Sequence, residues 1–82
     1  SQNYPNPFNP STTIKFALPQ DSKVKLAVYN ILGEMIIQLA DQEMKAGYHQ
    51  IEFNASQFAS GVYLYRLQAG SFIETKKMVL TK

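Results

Sequence analysis

The chain has 82 residues with eight Lys and Arg against six Asp and Glu, a formal charge of +2 carried by residues interspersed along its length. That size holds one domain burying about 60 to 65% of its unfolded surface, and the scattered charge excludes a nucleic-acid footprint. No cysteine is present, so disulfides, thiol nucleophiles and Cys-based zinc sites are excluded, and stability has to come from packing.

Only 17% of the residues are charged and 12% are aromatic, a composition that folds rather than stays disordered. No apolar run approaches the roughly 20 residues that a membrane-spanning helix needs. The chain opens on Ser1 with no initiator Met and no signal-peptide pattern, so a segment of a longer protein is expected.

Residues 4–10 carry Pro5, Pro7 and Pro10, which remove amide donors and favour extended backbone lying along a sheet edge. Residues 12–18 alternate, with Ile14, Phe16 and Leu18 on one face, before Pro19-Gln20-Asp21-Ser22 turns the chain. Residues 23–30 alternate again, with Val24, Leu26 and Val28 opposite Lys23, Lys25, Ala27 and Tyr29. Asn30-Ile31-Leu32-Gly33 is the next reversal. Residues 34–40 read as a strand with Met35, Ile37 and Leu39 inward, and residues 41–47 as a polar connection.

Residues 48–54 place His49, Ile51 and Phe53 opposite Tyr48, Gln50 and Glu52. A loop with one apolar plug, Phe58, leads to Gly61, and residues 62–68 and 72–81 form a hairpin about Ala69-Gly70-Ser71. Six or seven short strands with frequent turns predict an all-β fold, an immunoglobulin-like antiparallel β-sandwich of about seven strands.

The candidates for chemistry are few. His49 has no second His or Cys with which to build a zinc site, and its apolar neighbours predict a satisfied, partly buried imidazole. Asp41 and Glu43 in a polar loop could bind a hard cation weakly, though a solvated loop is the simpler reading. Tyr29, Tyr48 and Tyr65 would form a platform for stacking on sugars if their strands face outward together. Gly61 can take positive φ, and Tyr63 can return its hydroxyl to the preceding loop as in a tyrosine corner. Lys76, Lys77, Met78, Val79 and Leu80 make a basic, apolar strand whose lysines guard an edge.

Five segments in order, Asn3-Tyr4-Pro5-Asn6-Pro7-Phe8-Asn9-Pro10-Ser11-Thr12-Thr13-Ile14, Val28-Tyr29-Asn30-Ile31-Leu32-Gly33, Gly47-Tyr48-His49, Ser60-Gly61-Val62-Tyr63-Leu64-Tyr65-Arg66-Leu67 and Lys76-Lys77-Met78-Val79-Leu80, resemble the type A C-terminal sorting domain of the type IX (Por) secretion system. The chain is also similar to the immunoglobulin-like domain of flagellar hook-capping proteins, and fold alone does not separate the two. The first resemblance implies a noncatalytic signal, with no cofactor, on a secreted protein of Bacteroidetes-like bacteria. It directs an N-terminal cargo through an outer-membrane translocon and is commonly removed by a surface sortase-like peptidase. Residues 1–3 are then a linker remnant and residues 4–82 the sorting domain.

On that reading Lys76, Lys77, Met78, Val79 and Leu80 are recognised by the machinery. Pro5, Pro7 and Phe8 brace the sandwich, and Gly33, Gly61 and Tyr63 shape its turns. Two further readings stand beside it: an accessory module that binds polysaccharide or braces a neighbouring domain, and a hook-cap type scaffold.

Overall fold

The computed structural model describes residues 11–81; the Pro-rich opening with Pro5, Pro7 and Phe8 lies outside the described residues, as does Lys82. Among the described residues there are six strands: β1 (Ser11–Leu18), β2 (Ser22–Asn30), β3 (Met35–Met44), β4 (Gly47–Asn54), β5 (Gly61–Ala69) and β6 (Phe72–Leu80). They form a two-stranded sheet, β1-β4, and a four-stranded sheet in the order β3-β2-β5-β6, every pairing antiparallel. The expected antiparallel sandwich is present, with six strands described where about seven were anticipated.

Side-chain alternation is what seals the two sheets. Ile14 and Leu18 of β1 and Phe53 of β4 face Val24, Leu26 and Val28 of β2 and Leu67 of β5 in one core, and Phe53, Leu26, Val24 and Val28 are its fully buried members. Phe58 leaves the β4–β5 loop to pack against Phe53, the two rings tilted with centroids 5.7 Å apart. Ala27, on the outer face of β2, is also buried: it is a small residue on a central strand, flanked in register by the longer Gln38 and Arg66.

Strand β3 departs from the expected pattern. Its register against β2 shifts between Leu26 and Ala27 and again between Val28 and Tyr29, so simple alternation fails. Ile36, Ile37, Leu39 and Ala40 all pack on the core, whereas Met35 turns to the outer face opposite Tyr29 and is 54% exposed. The strand also runs on to Met44, so Asp41 and Glu43 belong to β3 and not to a polar loop.

Two connections that cross between the sheets are clipped together. Asp21, between β1 and β2, accepts the Ala46 amide at 2.8 Å and pairs with Lys45 at 3.6 Å, both of them between β3 and β4. One carboxylate thus fixes where the chain leaves one sheet and returns to the other.

Candidate functional site

Strand order brings three separated motifs side by side. The β2-β5-β6 neighbours set Tyr29 beside Leu64 and Leu64 beside Lys77, with Asn30 opposite Tyr63, Tyr63 opposite Met78 and Gly61 opposite Leu80. Gly33, Gly61, Tyr63 and the segment Lys76, Lys77, Met78, Val79 and Leu80 therefore meet at one end of the four-stranded sheet. Pro5, Pro7 and Phe8, expected to brace it, fall outside the described residues.

The turn at this end is organised by Asn30. Its Oδ1 accepts the amides of Leu32 at 2.9 Å and Glu34 at 3.0 Å, its Nδ2 donates to Glu34 Oε1 at 2.8 Å, and its carbonyl accepts the Gly33 amide at 3.0 Å. Gly33 takes φ of 84°, a conformation that a Cβ would strain. An Asn before Ile-Leu-Gly is the sequence signal for this hub, and sequence reasoning had assigned only a reversal there.

At the corner into β5, Tyr63 donates its hydroxyl to the Ala59 carbonyl at 2.7 Å while its ring lies in the core. Gly61 enters the strand at φ of 152°, on the positive side that glycine tolerates. The corner thereby ties loop to strand through one buried aromatic.

Strand β6 divides by parity. Lys76, Met78 and Leu80 lie on the face that looks toward the small sheet, and Leu80 is only 4% exposed. Lys77 and Val79 face outward, beside Leu64 and Val62. Lys76 is paired with Glu74 at 3.7 Å on the same strand face.

The other candidates are dispersed. Tyr65 points into the core, Tyr29 lies on the outer face of the large sheet, and Tyr48, 92% exposed, sits on the small sheet, so the three tyrosines form no common platform. Asp41 pairs with Lys23 at 3.5 Å from within β3, and among the described residues no group of three or more His, Cys, Asp or Glu could hold a metal. His49 Nε2 donates to the Lys45 carbonyl at 2.6 Å and its ring stacks on Phe16, with centroids 5.6 Å apart. A shallow depression of about 470 Å³ lies beside that pair, between Lys15, Ala17, Tyr48 and Gln50. Among the described residues no helix is long and apolar enough to cross a membrane.

No curated protein and no solved structure matches the chain. The family model described as the secretion system C-terminal sorting domain matches residues 2–81. Its members are noncatalytic signals that engage the type IX machinery. The chain belongs to the secretion system C-terminal sorting domain family and is a sorting signal for type IX secretion, sending attached cargo across the outer membrane to the cell surface or beyond.

Proposed function

We propose that the outer-membrane translocon reads strand β6, with Lys76, Lys77, Met78, Val79 and Leu80 as the recognition segment. The edge backbone of β6 adds to a strand of the translocon, and the two lysines set the electrostatic fit. The observation that supports this most is position: among the described residues β6 ends the sheet order, and it keeps unbroken register with β5 from Phe72 to Leu80. Such an edge presents a regular row of amide and carbonyl groups.

The rest of the chain serves that strand and performs no catalysis. Gly33, Gly61 and Tyr63 hold the frame around it. Residues 1–3 are the remnant of a linker to the cargo and residues 4–82 the sorting domain. A surface sortase-like peptidase is the second partner, releasing the cargo or attaching it at the cell surface.

The test fuses the chain behind a periplasm-targeted fluorescent reporter in a bacterium shown to export a control type IX cargo. Truncation at Met78 is the wrong perturbation, because it also removes the buried Leu80. Lys76→Gln/Lys77→Gln keeps the core and is expected to leave the reporter in the periplasm, with export down about tenfold. Export at the wild-type level by that variant would sink the assignment.

A further inference from the structure

Folding accounts for the inward members of the three convergent motifs but not for the outward ones. On the outer face of the four-stranded sheet, Met35, Tyr29 and Leu64 lie side by side in register, and Val62 lies opposite Val79 one step along. Val62 and Val79 are 41% and 57% exposed. Ile31 and Leu32 stand exposed in the turn at the same end. Single exposed apolar residues are ordinary, but a set contiguous across four strands is not.

Charge borders this strip on one side of the balance. Lys77 is the next residue in the Leu64 row and Arg66 follows Leu64 on the same face, beside a shallow groove of about 200 Å³. Among the described residues neither cation forms an ion pair, whereas at the far end of the face Lys23 is paired with Asp41. The acid at the near end, Glu34, is held by Asn30.

We propose that this outer-face strip, which adjoins the β6 edge and shares Lys77 and Val79 with its recognition segment, is a second docking surface for a protein of the type IX machinery whose contact is apolar and bordered by carboxylates. The inference rests on the sorting function. Charge selects this occupant: a second copy would bring the same net positive strip against itself, which disfavours a self-complementary contact. Strand addition at the edge supplies affinity for any extended segment, and a side-chain strip on the adjoining face supplies the discrimination.

The test uses the same reporter fusion with Met35→Gln/Val62→Thr, two exposed positions of the strip that lie outside β6 and keep their side-chain volume, and separately with Arg66→Glu at an exposed position. Thr13→Lys/Gln50→Glu on the outer face of the small sheet is the control, since each new charge sits opposite an existing opposite one, Glu52 and Lys15. Both strip variants are expected to lower export about tenfold while keeping the wild-type melting midpoint, and the control is expected to export as wild type. Should the double variant fail to fold, Arg66→Glu decides alone. Wild-type export by Arg66→Glu, or by a folded double variant, overturns the proposal. So does a dimer in sedimentation that the double variant abolishes, which would give the strip to a second copy. Flotation with lipopolysaccharide vesicles that the strip variants lose would give it to lipid instead. If the unaltered chain is not exported beside an exported control cargo, the sorting reading itself falls, an outcome distinct from all of these.

Discussion

The two edges of the four-stranded sheet solve the same problem differently. Strand β3 is irregular: two register shifts against β2 break its ladder and re-aim its side chains, and nearly all its apolar residues press on the core. Strand β6 is regular, pairs residue for residue with β5, and carries Glu74 and Lys76 on the face that looks inward. Bulges twist an edge away from any partner, whereas inward-pointing charges block careless pairing yet leave the backbone row intact. Among the described residues one edge is closed by its geometry and the other is guarded by its charges, so β6 is the edge that keeps a regular backbone row.

If β6 is a firmly seated strand with an addressable edge, its anchor should matter more than any residue of β3. Leu80→Ala removes a buried side chain at the end of the strand and is expected to cost about 3 kcal/mol, whereas Ile37→Ala, half-buried on β3, should cost about 1 to 2 kcal/mol. Thermal unfolding of both variants makes the comparison, and roughly 4 to 8 °C per kcal/mol is expected for a domain of this size. Equal losses would mean that β6 is no better seated than its counterpart.

Next in size is the corner that leads into β5, the strand on which β6 rests. Tyr63→Phe keeps the ring in the core and deletes only the hydroxyl that reaches the Ala59 carbonyl at 2.7 Å. A loss of about 1 kcal/mol is expected, since that carbonyl lies near water and can be solvated. Amide exchange then locates the effect: the 55–61 loop should open first, and β3 should keep its wild-type protection. Faster exchange spread evenly over both edges would erase the distinction drawn between them.

The sequence made β1, β2 and β4 legible because each has one buried face and no bulge, so Ile14, Val24, Leu26, Val28 and Phe53 announced their direction by period alone. Strand β3 resisted because a register shift leaves no mark in the residue types, and Asp41 and Glu43 at its exposed end look like loop composition. The Asp21 clip joins residues 25 apart, beyond what local turn chemistry can signal. The site was half legible. Its motifs stood out one by one, but the strip of Tyr29, Leu64, Val62 and Val79 exists only through the order β2-β5-β6, which no single strand's pattern contains.

The smallest expected effect on stability carries the sharpest test of how β6 is guarded. Glu74 and Lys76 are partly exposed and 3.7 Å apart, so their ion pair contributes about 0 to 0.5 kcal/mol once solvent screening is counted. Glu74→Val/Lys76→Val should therefore leave the melting midpoint within about 4 °C of wild type, with added β-propensity offsetting the lost pair. Association should respond differently. With the inward charges gone, a regular apolar edge faces solvent, and light scattering should grow with protein concentration. The matching change on β3, Asp41→Val/Glu43→Val, likewise takes two charges off one face and should stay monomeric, because the bulged ladder beside it presents no long flat edge. If the β3 variant associates as readily as the β6 variant, charge is not what distinguishes the two edges; if neither associates, the guard on β6 lies in its twist and not in its charges.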